Sequence, residues 1–321
     1  MKVGMLFPGY GSQYVGMGKA LYDGSRIMQE YFEQASNCLD INFVKLCFAS
    51  SDLELGKMSN AYASIFLLSS AIFKILQEDE GIMPDIVAGY NVGEFSAVQA
   101  AGGISFADGL YLINKYASFY EEFLANVNVS LVRVLGVKGD VIKEICEQHS
   151  TNDNFASVAI YNTDVDIIVS GNTQVVEQVS EALKKYAEAK IEPLGVEYGL
   201  HSSLMRPVFD SLKLYLGKID FKDVKEFPVL SSTQINTIKS GDSLKACILE
   251  NITSPLLWQQ SLDYLHVYDV LVEVGPGSKL SNMAKIQYPD KKILSINNGE
   301  DIDELVKIVT SEKIEIDASE E

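Results

Sequence analysis

The chain has 321 residues, 47% of them hydrophobic, with 44 acidic against 26 basic side chains and a net charge of −18. That charge excludes broad binding to nucleic acid or to an anionic membrane, since both demand a cationic surface. The length suits one large core or two domains.

No uninterrupted apolar run reaches the roughly 18–20 residues that span a bilayer. The start, Met1–Phe7, is too short for a signal peptide and runs straight into a glycine-rich loop. A cytoplasmic protein with no membrane and no nucleic-acid partner is therefore expected. Cys38, Cys47, Cys146 and Cys247 are scattered without metal-ligand spacing. They read as free thiols in a reducing compartment, and neither a metal nor a cofactor is expected. An acidic partner stays open, because Lys279, Lys285, Lys291 and Lys292 can form a local basic patch; the alternative is solvated surface lysines.

In chain order, Val3–Phe7 reads as a first buried strand. The turn-rich loop Pro8-Gly9-Tyr10-Gly11-Ser12-Gln13 follows. Met28, Phe32 and Ala35 share one helical face, and a second helix over Tyr62–Leu76 is apolar all round. Asp85–Ala88 is a strand, and a helix with Phe95, Val98 and Ala101 at helical spacing runs to a stop at Gly102-Gly103. Between strand and helix lies Gly89-Tyr90-Asn91-Val92-Gly93, the shape of a nucleophile elbow. Such a turn holds its middle residue at a helix N-terminus, where backbone N–H groups favour negative charge. Ser or Cys would be the acyl-transfer nucleophile there. This chain has Asn91, and a carboxamide does not accept acyl groups.

Phe106–Phe123 predicts another helix. The pattern then changes to strand Ser130–Val137, helix Asp140–His149, strands Ala156–Tyr161 and Asp166–Ser170, helix Gln174–Ala189 and strand Ile191–Val196. That order is ferredoxin-like. It predicts an insertion at 127–197 in a large domain formed by 1–126 and 198–305. Pro228–Ser232 reads as a strand. Ser254-Pro255-Leu256-Leu257-Trp258 reads as a helix start, capped by Ser254 with Pro255 in the first turn. Asp269–Val274 is a strand closed by Gly275-Pro276-Gly277. An acidic tail is expected over 306–321, frayed over Ser311–Glu321, which carries five acidic residues.

Five segments, in this order, resemble the malonyl-CoA:acyl carrier protein transacylase family, which includes polyketide acyltransferase domains. They are Phe7–Gln13, Gly89–Glu94, Leu200–Met205, Ser254–Trp258 and Glu273–Gly277, and the likeness spans roughly Met1–Glu304. The resemblance implies an α/β fold: an α/β-hydrolase-like large domain with an inserted ferredoxin-like small domain and a site in the cleft between them. It implies a serine nucleophile at Asn91, a base at His201, and an oxyanion hole from the N–H groups of Tyr10 and Val92. It puts the substrate pocket at Tyr62, Tyr90, Tyr116 and Leu200. Tyr116, beside Lys115, stands where the family's carboxylate-binding arginine falls. Tyr90 replaces a histidine, and Tyr10 and Tyr62 replace glutamines.

An altered, tyrosine-filled pocket is the expectation, with Tyr10, Tyr62, Tyr90 and Tyr116 converging on Asn91 and His201. The implied role is an impaired homologue that binds an acyl carrier protein or another synthase component, with acyl-CoA as a further ligand. The alternative is an active acyltransferase or thioester hydrolase with a rearranged site. Ser12, Ser96 and Ser202 are the candidate substitute nucleophiles.

Overall fold

The computed structural model describes residues 1–320, with side chains through Thr310. Among the described residues, ten strands form two sheets. In chain order they are β1 (Val3–Phe7), β2 (Ile86–Gly89), β3 (Val129–Leu135), β4 (Ala156–Thr163), β5 (Asp166–Asn172), β6 (Lys190–Leu194), β7 (Val229–Leu230), β8 (Thr237–Ile238), β9 (Val270–Val274) and β10 (Lys292–Ile296).

The larger sheet has the order β10-β9-β1-β2-β7-β8, parallel except for the β7–β8 pair. Val3–Phe7 and Val270–Val274 are buried throughout, as continuous apolar strands with helices on both faces must be. β1 lies between β2 and β9, so the chain leaves the centre of the sheet in both directions. Ligands of open α/β sheets bind at the carboxyl ends of strands beside such a switch. The loops after β1, β2 and β9 carry Tyr10, Asn91 and Lys279 to that edge.

The smaller sheet is antiparallel, with the order β4-β5-β3-β6. Together with helices Gly139–His149 and Thr173–Leu183 it makes the ferredoxin-like arrangement. Its hydrophobic core, built around Val134, Ile142, Ile167 and Val179, is separate from the main one. Leu256 joins the two parts by bridging Ile160 of β4.

Helix Met58–Glu78 is long and apolar enough to cross a membrane, yet most of its side chains are buried inside the protein. Among the described residues, no group of three or more His, Cys, Asp or Glu side chains is placed to hold a metal.

The structure corrects several boundaries. Ser254 does not open a helix; it closes Gly241–Thr253, and the next helix begins at Trp258. Pro255 and Leu256 are instead part of the extended bridge to β4. The helix expected over Gln174–Ala189 ends at Leu183. A tail does not begin at 306, because helix Gly299–Glu320 runs through that position and Val306 and Val309 pack on the core. Of Ser311–Glu321, expected to fray, the side chains and Glu321 lie outside the described residues.

Candidate active site

The elbow forms because its glycines leave room for a crossing of chain segments. A Cβ on Gly93 would lie 2.1 Å from the Phe7 carbonyl oxygen, so the helix after β2 can rest on β1 only with glycine there. The turn puts Asn91 at φ 56°, a left-handed conformation that asparagine tolerates better than most residues. His201 is also left-handed, at φ 43°. Both are 1% exposed, so the centre of the site is closed to solvent.

Asn91 is held on every side. Its Nδ2 donates to His201 Nε2 at 2.8 Å and to the Tyr198 carbonyl at 3.1 Å. Its Oδ1 accepts from the Tyr10 backbone N–H at 3.5 Å. These partners fix the orientation of the amide, since only nitrogen can donate to two acceptors. The carboxamide thus occupies both the lone pair of the expected base and one expected oxyanion donor. Val92, which carries the second expected donor, is the N-cap residue of helix Gly93–Ala100.

His201 is oriented as a base would be. Its Nδ1 donates to the Asn251 carbonyl at 2.5 Å, which places the lone pair on Nε2. Burial pulls its pKa down to about 4 against the support of that carbonyl, so the imidazole is neutral at pH 7. Behind it, Asn251 Nδ2 donates to Ser232 Oγ at 3.5 Å, and Ser232 Oγ donates to Glu94 at 3.1 Å. Cys247 Sγ meets the other Glu94 oxygen at 2.8 Å. Burial pushes the Glu94 carboxyl up to about 7.

The tyrosines divide into two groups. Tyr10 meets Tyr62 at 6.0 Å, Tyr62 stacks on Tyr116 at 5.8 Å, and Tyr116 stacks on Phe95 and Tyr120 at 6.1 and 6.0 Å. Tyr62 is closed off by its hydroxyl bond to the Glu197 carbonyl at 2.8 Å, and Tyr10 by one to the Gly56 carbonyl at 2.9 Å. Tyr90 does not join them. Its hydroxyl donates to Asn162 Oδ1 at 2.9 Å, and its ring stands edge-on to Trp258. Consecutive side chains of a sharp elbow diverge, so Tyr90 and Asn91 cannot point into one pocket. Leu200 is buried, and its carbonyl accepts from Ser170 Oγ at 2.6 Å.

Lys115 does not replace the missing arginine, because its ammonium lies over the Tyr111 and Tyr215 rings. None of the candidate substitute serines bonds His201: Ser12 Oγ donates to the Gly9 carbonyl, and the buried Ser96 and Ser202 hydroxyls have no partner among the described residues. The expected basic patch is also not one surface. Lys279 turns into the cleft, while Lys285 and Lys292 are exposed and Lys291 donates to the His266 carbonyl.

Tyr198, Asn251, Ser232 and Cys247 carry no motif that marks them in sequence. Tyr198 alone had a signal, its place just ahead of His201. Its ring packs on Tyr10 at 5.0 Å. The next residue, Gly199, has φ 93°, and a Cβ there would lie 2.7 Å from Asn91 Nδ2 and 2.8 Å from His201 Nε2. Gly199→Ala should therefore part the Asn91–His201 pair and cost about 1–3 kcal/mol. Urea unfolding checks the cost, and displacement of the His201 ring resonances checks its location.

The Acyl transferase domain family matches residues 5–298. The chain belongs to this family. It is 30% identical over 313 residues to the malonyl CoA-acyl carrier protein transacylase of Bacillus subtilis strain 168, covering 97% of this chain and 98% of that one. A solved malonyl CoA-acyl carrier protein transacylase from Clostridium perfringens superposes with a TM-score of 0.91 at 26% identity, covering 99% of this chain and 100% of that chain. A malonyl-transacylase solved in complex with its type II polyketide acyl-carrier protein superposes at 0.88 with 25% identity, over 94% and 97% of the two chains. These likenesses establish the large α/β part with a small ferredoxin-like one as the family fold, and a transacylase-like relationship for the chain.

Proposed function

We propose that this chain is a cytoplasmic homologue of malonyl-CoA:acyl carrier protein transacylases that forms no acyl-enzyme at Asn91. Its role is to bind an acyl carrier protein, or another component of a fatty-acid or polyketide synthase. One observation carries the reading: the Asn91 carboxamide spends its N–H groups on His201 Nε2 and the Tyr198 carbonyl, and its oxygen on the Tyr10 N–H. A base whose lone pair holds an amide N–H has no nucleophile to activate. Among the described residues, the aromatic stack around Tyr116 also has no cation for a malonyl carboxylate. The partner class rests on the relatives, one of which is solved with its carrier protein.

Intact mass spectrometry after incubation with malonyl-CoA and acetyl-CoA tests the reading. The expected mass is that of the unmodified chain, together with measurable binding of a carrier protein. An acyl adduct on any side chain overturns the proposal. A second reading is favoured by the neutral His201 held by the Asn251 carbonyl: thioester hydrolysis by a water that this imidazole activates once the Asn91 amide swings off Nε2. Turnover of acyl-CoA to free acid without an adduct, abolished by His201→Ala, would decide for it.

A further inference from the structure

Between β6 and His201 the chain makes one 3₁₀ turn, Val196–Tyr198. Its three consecutive carbonyls each accept a hydrogen bond from a side chain of a different element. Tyr120 Oη donates to the Val196 carbonyl at 2.6 Å, Tyr62 Oη to that of Glu197 at 2.8 Å, and Asn91 Nδ2 to that of Tyr198 at 3.1 Å. The donors come from helix Phe106–Leu124, from helix Met58–Glu78 and from the elbow. Glycines flank the turn, Gly195 before it and Gly199, with its positive φ, after it.

These bonds hold a segment that burial alone does not hold. None of Val196, Glu197 and Tyr198 is fully buried, whereas Asn91, Leu200 and His201 beneath them are. Val196 and Tyr198 pack only in part on the main core. Segments with few buried contacts open at the lowest free energy. The backbone nevertheless crosses directly over the centre, as the short approach of Gly199 to Asn91 Nδ2 and His201 Nε2 shows. The cavity of the cleft lies on its far side, lined by Leu194 and Tyr198 but by neither Asn91 nor His201. Two of the three donors stand where the resemblance gives other residues, Tyr62 for a glutamine and Asn91 for a serine. A serine hydroxyl has one proton and could not serve His201 and the Tyr198 carbonyl together.

We propose that Val196–Tyr198 is an autoinhibitory strap. Fastened by Tyr62, Tyr120 and Asn91, it shuts the Asn91–His201 centre off from the cleft, and release of those bonds uncovers the centre. The strap acts in this way whether the centre only binds a thioester or hydrolyses it, since its opening is read from the chain itself and not from turnover.

Hydrogen–deuterium exchange of the full chain at pH 7, read by mass spectrometry, tests the proposal on Tyr62→Phe, Tyr120→Phe and the double variant. Phenylalanine keeps each ring in the stack and removes only the hydroxyl. In the double variant, peptides spanning 195–200 should exchange at least about tenfold faster, equivalent to about 1.4 kcal/mol of easier opening. Each single variant should show part of that gain. The amides of β9 should exchange as in the parent. So should the strap in Tyr116→Phe, which alters the same stack at a hydroxyl that bonds no strap carbonyl. Diethyl pyrocarbonate gives the second measurement, because the chain has three histidines, with His149 partly exposed and His266 exposed. Those two should react alike in every variant. His201, protected in the parent, should react at least about tenfold faster in the double variant, in step with the opening of the strap. The proposal is overturned if 195–200 exchanges as in the parent or if β9 accelerates equally. It is also overturned if His201 stays protected while the strap exchanges faster.

Discussion

Asn91→Ser alone will leave malonyl transfer at least about 30-fold slower than the combined variant Asn91→Ser, Tyr62→Gln, Tyr116→Arg. The single change does restore the elements of a nucleophile. A short hydroxyl releases the Tyr10 N–H and frees His201 Nε2 to take its proton. Loss of such a nucleophile costs about 10⁶-fold in kcat in a serine protease, so activity on a neutral acyl thioester such as acetyl-CoA should rise steeply. Malonyl-CoA is different, because the resemblance puts its free carboxylate against the stack of Tyr62, Tyr116, Phe95 and Tyr120, where no cation stands among the described residues. An unpaired buried charge costs roughly 2–5 kcal/mol, and the lower bound is already about 30-fold in rate. Tyr116→Arg by itself would bury a guanidinium against the face of Tyr62, which is why Tyr62→Gln must accompany it. Release of CoA thiol with malonyl-CoA and acetyl-CoA separates the two effects. If the single variant transfers malonate as fast as the combined one, the aromatic stack does not govern substrate choice.

The parts of this site legible in the sequence are those set by short-range geometry. Gly89 and Gly93 announce the elbow, because a strand cannot turn so sharply onto a helix with side chains at both positions. The β3–β6 module was readable because its strands alternate and its helices are amphipathic, a local signal repeated over six elements. Ser254 misled for a related reason. A serine before proline and an apolar run has the chemistry of a helix start, but the helix ending at Thr253 carried too weak a periodicity to claim Ser254 as its terminus. Tyr90 misled because a matched motif supplies positions and not directions. The contact of His201 with Asn251, and that of Lys279 with Tyr90 and Tyr198, join residues 50 to nearly 190 positions apart. Nothing local to either partner records such a pairing. Asn91 was visible as an anomaly, but only coordinates reveal that its amide takes up both the base and an oxyanion donor.

The other large effect concerns pH. Relative to Glu94→Gln, the parent protein should lose about 3 kcal/mol of stability between pH 4.5 and pH 8. Glu94 is buried in the elbow helix, and among the described residues Ser232 Oγ and Cys247 Sγ donate to it. Desolvation outweighs those two bonds, so its carboxyl rises from the ordinary 4.5 to about 7 in the folded chain. The sign follows from which state binds the proton. Between pH 4.5 and 7 the folded protein keeps Glu94 protonated while the unfolded chain has released it, so stability falls as pH rises. The contribution is fully present below the unfolded value and gone once pH has passed the folded one. At about 1.4 kcal/mol for each pH unit, the interval between 4.5 and 7 amounts to about 3 kcal/mol. Glutamine keeps an acceptor for the serine and the thiol but cannot ionise, so the variant lacks this slope. Other buried groups such as Glu273 and His201 titrate in both proteins and cancel in the difference. Urea unfolding at several pH values, followed by the fluorescence of Trp258, the single tryptophan, gives that difference directly. A difference that stays flat from pH 4.5 to 8 would mean that Glu94 is ionised in the fold. The Ser232–Asn251 link behind His201 would then rest on a charge instead of a neutral acid.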